Sequence, residues 1–268
     1  DPAVNVVKLA TDKGLTVYND YFSYDTFKDF GSKYDLVLSN NTFAHVIDIQ
    51  NIVKGIHHVL KDGGDFIFEV HYLKNLIEGN QWDNIYHEHI YYYSITAILN
   101  LFKNHNMSVV DFEEIPIHSG SIRVTVRKGD EVIPQKILDR VELESTTICN
   151  LDYLNQYNED VKKHISDFNN TLKELEEKHI CKKILPRVFH KIAGYGASGR
   201  GNMFCNLTDT TKDNIKFIVD ESPERCGRYI ANTEIPIVDV DILKNSDIDL
   251  LIIFAWNYSK MIIEKTQF

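Results

Sequence analysis

The chain has 268 residues and a net charge of −10, with 43% hydrophobic and 25% charged residues. This composition is ordinary for a globular protein of about two domains, and it excludes general disorder. The acidic balance and the absence of an apolar run of roughly 20 residues argue against nucleic-acid and membrane partners, so we expect neither.

The first third of the chain alternates between helical and strand patterns. Apolar side chains at helical spacing over residues 2–13, followed by Gly14, predict a helix with a glycine stop. Further apolar runs predict strands and an amphipathic helix in chain order: a short strand at 15–18, a buried strand at 34–39, a helix at 48–60 and a strand at 66–70. This order is typical of a parallel α/β sheet, of which we expect only the latter half in this chain.

The rest of the chain contains a helical stretch between two groups of strands. The patterns predict a helix at 96–105, strands at 109–114 and 121–127, a helical connector at 131–184, and strands at 191–195, 215–219 and 249–254. We interpret the charge run of the connector as a solvated face. The second strand-helix alternation begins near Val188 and predicts another α/β domain.

The segment Tyr86-His87-Glu88-His89 places a phenol, two imidazoles and a carboxylate within four residues. Histidine titrates near neutral pH and is a usual general base, and a neighbouring carboxylate can orient its ring. The segment therefore indicates proton transfer or metal ligation. His45 follows the predicted strand at 34–39, at the sheet edge where open α/β sheets bind ligands.

A glycine-rich turn follows the predicted strand at 191–195. Gly194, Gly196 and Gly199 have G-x-G-x-x-G spacing, and Asp220 ends a strand about 20 residues later, which is compatible with a nicotinamide dinucleotide site. The same turn carries Ser198, which is a second possible phosphate contact.

Four segments in this order resemble the sugar C-methyltransferase family, which methylates a ring carbon of nucleotide-linked keto-sugars with S-adenosylmethionine. They are residues 39–45, 86–89, 117–123 and 194–202. The resemblance implies a partial class I methyltransferase domain at 1–74, a small α+β middle segment with the catalytic motif at 75–130, the helical connector at 131–185, and a second Rossmann-like α/β domain at 186–268. It also implies that the family's N-terminal zinc module and the glycine-rich cofactor loop are absent from this chain, which we expect to be inactive alone.

The resemblance assigns a role to each motif residue. It implies that His89 is the base that removes a proton next to the ketone, that Glu88 and Tyr86 shape the site, and that His45 assists. The remaining implied contacts fall into two groups, the cofactor residues Asp1, Asn40 and Asn41 and the substrate residues Ser121, Arg123, Ser198 and Arg200.

Three other interpretations stay open. His87 and His89 on one strand would point to the same face and bind a metal together with His45 or His118. The glycine-rich turn would make the protein a nicotinamide-dependent oxidoreductase, and a chain without its cofactor loop would be a scaffold. The four cysteines form no C-x-x-C pair, so we expect a reduced, cytoplasmic protein, which we also expect to be a monomer.

Overall fold

A computed structural model describes residues 1–180 and 191–266 of the chain. The helices are α1 (Val4–Asp12), α2 (Tyr24–Phe27), α3 (Ile49–Val59), α4 (Leu73–Glu78), α5 (Ile95–Lys103), α6 (Gln135–Thr146), α7 (Leu151–Ile180), α8 (Gly199–Leu207) and α9 (Ser259–Lys265). The strands are β1 (Tyr34–Asn40), β2 (Leu60–His71), β3 (Met107–Ile115), β4 (Ser121–Lys128), β5 (Ile192–Tyr195), β6 (Ile215–Asp220), β7 (Ile237–Asp239) and β8 (Leu250–Ile253).

Most of the predicted elements are confirmed, and local side chains explain where they begin. Asp48 accepts a hydrogen bond from the Asn51 amide at the start of α3, and Ser94 accepts one from the Ala97 amide at the start of α5. Each satisfies an amide that the first helical turn leaves without a partner. The predicted start of the second α/β domain near residues 186 and 188 lies outside the described residues.

The predicted strand at 15–18 is wrong, because this segment folds back onto the start of the chain. The Leu15 amide donates to the Ala10 carbonyl, and the Tyr18 carbonyl accepts from the terminal amine of Asp1. The Tyr18 ring packs against Phe27 and Phe30 at 5.6 and 5.0 Å between centroids. The Leu15 amide and the Tyr18 carbonyl are thus already bonded and cannot pair with a neighbouring strand.

The first sheet has the order β1-β2-β4-β3 and is mixed. β1 and β2 are parallel neighbours, as predicted, while β4 is antiparallel to both β2 and β3. The strands that the sequence assigned to a separate middle segment therefore extend the first sheet. The division of the chain at residues 74, 130 and 185 stays a prediction.

Aromatic rings fill the covered face of the first sheet. Phe66 and Phe68 of β2 lie against Phe43 and against Phe102 of α5, with centroids 4.9 to 5.9 Å apart. All four side chains are at most 1% exposed. Burying one such ring stabilises the fold by about 1.5–3 kcal/mol, so this cluster anchors the strand ends that carry the candidate site.

The prediction that residues 34–39 form a buried strand is wrong in one respect. β1 forms as predicted, yet Leu36 and Leu38 are 48% and 63% exposed. Both point to the face opposite the aromatic core, because Leu38 pairs with Ile67 whereas Val37 pairs with Phe66. An apolar strand pattern predicts the strand but does not show which of its faces is covered.

The second sheet has the order β7-β6-β5-β8, and all its neighbouring strands are parallel. A separate parallel α/β layer in this part of the chain is confirmed. Its core includes Ile192, Ile215, Ile218 and Phe254, each at most 5% exposed. β7 is a strand that the sequence did not predict, since only three residues form it.

The described residues divide into two compact units. The first contains Asp1–Leu76 and Glu88–Leu154, and the second contains Ile77–His87 and Asn155–Phe268. Each unit contains one of the two sheets. The boundary passes through the predicted catalytic motif, so Tyr86 and His87 belong to the second unit while Glu88 and His89 belong to the first.

Candidate active site

The candidate site of the first unit lies at the carboxyl ends of β1 and β2. Asn40 and Asn41 are exposed there, and the Asn41 amide donates to the Glu69 carbonyl at 3.0 Å. Asn41 has a left-handed backbone with φ of 53°, a conformation that asparagine tolerates better than most residues. Two of the three predicted cofactor residues thus stand at the sheet edge where parallel strands bind ligands.

His45 and His89 are neighbours at this edge. Their ring centroids are 5.0 Å apart, and His45 Nδ1 is 2.7 Å from the Glu88 carbonyl oxygen. Because a carbonyl only accepts, Nδ1 must carry the proton and donate it. The neutral ring of His45 therefore has its lone pair on Nε2, the form that a base or a hydrogen-bond acceptor requires.

Backbone contacts hold residues 88–93 along the turn that follows β1. The Ile90 amide donates to the Ala44 carbonyl at 3.0 Å, and the Tyr93 hydroxyl donates to the Phe43 carbonyl at 3.1 Å. Burial raises the pKa of the Tyr93 hydroxyl well above its usual range, so it stays protonated and keeps donating. These contacts set the distance between the two histidines.

The hydrogen bond of the Asp1 carboxylate is local and does not involve these strand ends. Its Oδ1 accepts from the Ala3 amide at 2.8 Å, next to the start of α1. This bond is local and leaves the predicted contact of Asp1 with a ribose as a prediction.

The turn between β3 and β4 has an unusual backbone. His118, Ser119 and Gly120 have φ of 53°, 71° and 116° in succession. A Cβ at Gly120 would lie 2.1 Å from Asn75 Nδ2, so glycine is required there. Ser121 follows directly and is 1% exposed, with its hydroxyl donating to the Ile117 carbonyl at 3.0 Å.

Arg123 lies on β4 between two acidic side chains in register with it. Its Nε and Nη2 donate to Glu69 Oε1 at 2.8 and 2.6 Å, and its Nη1 donates to Glu113 at 3.3 Å. The hydrogen bonds that Arg123 donates to Glu69 raise the pKa of its guanidinium. A phosphate contact by Arg123 would compete with both carboxylates, so its substrate role stays a prediction that this geometry does not favour.

Glycines shape the turn between β5 and α8 in the second unit. A Cβ at Gly201 would lie 2.2 Å from the Gly196 carbonyl oxygen, so the helix start closes tightly against the strand end. Gly196 itself has φ of 99°. Ser198 precedes α8, and its carbonyl accepts from the Asn202 amide at 3.0 Å.

Asp220 does not stand as a ribose acceptor should. It is 5% exposed, and its Oδ2 accepts from the Ala197 amide at 2.7 Å within the glycine-rich turn. Arg225 Nη1 also donates to it, at 3.1 Å. The Ala197 amide, which a bound phosphate would need as a donor, therefore already donates to the Asp220 carboxylate. This disfavours the dinucleotide interpretation.

Arg200 is paired inside the second unit. Its Nε donates to Asp83 Oδ2 at 3.1 Å, and its guanidinium carbon lies 4.4 Å from the ring centroid of Trp256. Its Nη2 is buried and, within the described parts of the chain, has no hydrogen-bond partner. If Arg200 contacts the substrate, Nη2 is the nitrogen that would donate. The substrate contact of Arg200 stays a prediction.

Sequence reasoning missed Asp83 and Trp256. The Trp256 indole donates to Asp83 Oδ2 at 2.9 Å, so one carboxylate joins two distant parts of the chain. The available signal was the polar run Gln81, Asp83 and Asn84, which is buried beside the motif at 4–5% exposure.

The metal interpretation finds no support in the described geometry. His87 and Glu88 form a turn and not a strand, so the alternation that would align His87 with His89 is absent. Across residues 1–180 and 191–266, no group of three or more His, Cys, Asp or Glu is placed to hold a metal ion.

Within the same ranges, no helix is both long and apolar enough to span a bilayer.

Comparison with protein families decides the assignment. A family described as the C-methyltransferase C-terminal domain matches residues 116–268, more than half of the chain, and a methyltransferase domain family matches residues 1–111. The chain belongs to the C-methyltransferase family. The turn between β3 and β4 and the whole second sheet lie in the first match, so the match to the C-methyltransferase family falls mainly in the second half of the chain.

Individual relatives agree with the family. C-methyltransferase NovU of Streptomyces niveus is 27% identical over 270 residues, which cover 98% of this chain and 62% of that protein. The chain thus spans less than two thirds of the length of that curated relative.

Solved structures match the chain only weakly. They include a putative sarcosine dimethylglycine methyltransferase from Galdieria sulphuraria, at 14% identity over 49% of this chain and 69% of that chain with a TM-score of 0.38. The 1,6-didemethyltoxoflavin-N1-methyltransferase of Burkholderia thailandensis matches at 16% identity over 47% and 57%, with a TM-score of 0.36. Likeness at this level adds nothing to the family assignment.

Proposed function

We propose that the protein methylates a ring carbon of a nucleotide-linked keto-deoxysugar with S-adenosylmethionine as methyl donor. The observation that carries this proposal is the pair His45 and His89, 5.0 Å apart at the carboxyl edge of a sheet in a C-methyltransferase. Carbon methylation next to a ketone needs a base at the carbon to be methylated, and an imidazole pair supplies one.

The proposed reaction begins with proton removal from the carbon beside the ketone. His89 takes this proton, the electron pair of the broken C–H bond forms a carbon–carbon double bond, and the carbonyl π pair moves onto the ketone oxygen to give an enolate. When bound, S-adenosylmethionine would supply an electrophilic methyl group to the enolate carbon, with its methyl–sulfur bond breaking to leave S-adenosylhomocysteine. The proton then sits on His89 and passes to solvent to complete the cycle.

The neighbouring residues have distinct roles in this proposal. His45 presents an unprotonated Nε2 when neutral, because its Nδ1 donates to the Glu88 carbonyl. This Nε2 can accept a proton, or a hydrogen bond from a substrate hydroxyl. Asn40, Asn41 and Asp1 are the proposed cofactor contacts. Asn40 and Asn41 fit this role, since both are exposed at the carboxyl end of β1.

Five further residues keep their predicted roles as part of the proposal. They are Tyr86 at the catalytic motif and Ser121, Arg123, Ser198 and Arg200 as substrate contacts. Among the last group, the buried hydroxyl of Ser121 and the paired guanidinium of Arg123 offer the weakest support.

In a protein that contains the family's cofactor loop together with this chain, we expect His89→Asn to remove methyl transfer and leave the affinity for both substrates nearly unchanged. A base that acts mainly in the transition state changes turnover by about 10²–10⁴ and affects ground-state binding little. Methyl transfer from labelled S-adenosylmethionine gives kcat, and NMR in D₂O gives the rate of deuterium entry beside the ketone. Both rates should fall together in His89→Asn.

The control is His87→Asn, a neighbouring histidine without an assigned role, which should keep both rates. Retained activity in His89→Asn together with loss of exchange and turnover in His45→Asn would reassign the base to His45. Full activity in all three variants would overturn the proposed function.

A further inference from the structure

The strand order of the second sheet predicts where a ligand crevice should lie. The chain runs from β5 through β6 to β7 and then returns to β8 on the other side of β5, so the order reverses between β5 and β8. Open α/β sheets bind ligands outside the carboxyl ends at such a reversal. Here that position lies between the glycine-rich turn after β5 and the turn Trp256–Tyr258 after β8.

At this position the polar groups already bind a carboxylate of the chain itself, that of Asp83. Arg200, from the β5 side, and Trp256, from the β8 side, both donate to Asp83 Oδ2, at 3.1 and 2.9 Å. The side chain of Asp83 is 6% exposed and that of Arg200 is 12% exposed. Two donors from opposite borders therefore converge on one buried anion, as they would on a phosphate oxygen.

The residues on either side of Asp83 pack against α8. The Trp82 ring stacks on Phe204, with centroids 5.0 Å apart. Tyr86 lies over the first residue of the helix, because a Cβ built on Gly199 would be only 3.0 Å from its Cε2. The segment 82–86 thus covers the amino end of α8, where a dinucleotide would place its pyrophosphate.

We propose that Asp83 is a positioning residue, an internal anion that docks segment 82–86 into the crevice between β5 and β8. The C-terminal sheet then holds Tyr86, the first residue of the catalytic motif, where a dinucleotide fold would hold its cofactor. This inference rests on the proposed function for its effect on turnover. The docking itself is independent of that function.

The decisive variant is Asp83→Ala, studied in the intact chain with and without sodium formate. Formate restores a carboxylate to the vacated space, so it can replace Asp83 between the two donors. Both tryptophans of the chain, Trp82 and Trp256, belong to this cluster, and their emission reports directly on it. We expect the emission maximum to shift in Asp83→Ala and to return with formate.

Turnover should follow the same pattern. We expect kcat for methyl transfer to fall by about ten-fold or more, with KM for both substrates changed less than about three-fold, and formate should recover part of kcat. The matched control is Asp241→Ala, whose carboxylate is 77% exposed and pairs with Lys244. Its emission and kcat should not change, and formate should have no effect on it.

Asp83→Asn serves as the second variant, because it keeps the shape of the side chain and one acceptor oxygen. If Asp83→Ala does not fold, a normal emission maximum and normal kcat in Asp83→Asn would overturn the proposal. Unchanged emission in Asp83→Ala overturns the docking, and shifted emission with unchanged kcat overturns the positioning role.

Titration of the wild-type protein with NADH tests the crevice itself. We expect no saturable change in NADH fluorescence, and saturable binding lost on substitution of Arg200 would overturn the proposal. If a wild-type protein that contains the cofactor loop together with this chain transfers no methyl group to any keto-sugar, the proposed function fails, while the emission and formate results still decide the docking.

Discussion

At the scale of single residues, Glu144 of α6 is a buried acceptor of four hydrogen bonds in the first unit. It is fully buried, and its two oxygens accept from the Tyr72 hydroxyl at 2.6 Å, the Ile95 amide at 2.9 Å and the Thr96 amide at 2.8 Å, as well as from the Thr96 hydroxyl. Ile95 and Thr96 begin α5, so Glu144 supplies the negative charge that a helix start favours. The interpretation of the connector's charges as a solvated face is therefore wrong at this position.

We expect Glu144→Ala to lower the free energy of unfolding by about 3–5 kcal/mol, because it leaves several buried donors without an acceptor. Urea denaturation measures this loss. The control is Glu142→Ala on the same helix, where the side chain is exposed and the change should stay within about 0.5 kcal/mol. A loss below about 1 kcal/mol in Glu144→Ala would show that water or other groups replace the carboxylate.

At the scale of elements, two histidines lie where α3 approaches the end of α5. His105 Nε2 donates to the Gln50 side-chain oxygen on α3 at 2.6 Å. Burial lowers the pKa of His105, and burial together with the positive charge of Lys128 lowers the pKa of His57. Both imidazoles are therefore more readily neutral in the folded protein than in the unfolded chain.

The sign of the pH dependence follows from these directions. Below pH 6.5 the unfolded chain binds protons that folded His57 and His105 resist, so the unfolded state gains stability as the pH falls. The stabilisation is complete above about pH 6.5 and is lost toward the lower folded pKa values. We expect the free energy of unfolding to decrease from pH 7 to pH 5, and to decrease less in His57→Gln.

Urea titrations at several pH values provide the measurement for this prediction. His87→Gln is the control, since His87 is exposed in a turn and should leave the slope as in the wild type. An equal slope in His57→Gln and the wild type would mean that other groups carry the acid sensitivity.

At the scale of the whole molecule, the net charge of −10 acts on both proposed substrates with opposite sign. A nucleotide-linked sugar is an anion and is repelled at long range, whereas S-adenosylmethionine is a cation and is attracted. Salt shortens the range of both effects, from about 30 Å at 0.01 M to about 8 Å at 0.15 M.

We therefore expect kcat/KM for the nucleotide sugar to rise about two- to three-fold between these two salt concentrations, while the affinity for S-adenosylmethionine falls. Initial rates and isothermal titration across a KCl series give the two quantities. A steep fall of kcat/KM for the sugar would instead reveal a basic surface that steers the anion to its site.

Much of the fold could be predicted because the signals for most helices and strands lie in residues that are neighbours in sequence. The apolar runs of β1, β2, β5 and β6, the capping residues of α3 and α5, and the glycines after β5 each act through neighbours in sequence. The same local order carried the resemblance to C-methyltransferases, and it placed His45 at a sheet edge before any contact was known.

The sequence by itself determined the order of elements, the family and the histidine pair. The tertiary structure alone decided which polar groups meet, such as Asp83 with Arg200 across 117 positions and Glu144 with the start of α5 across about 50. The physical reason is that a periodic pattern encodes which side chains leave water, whereas a buried charge finds its partner only through the packing of distant elements.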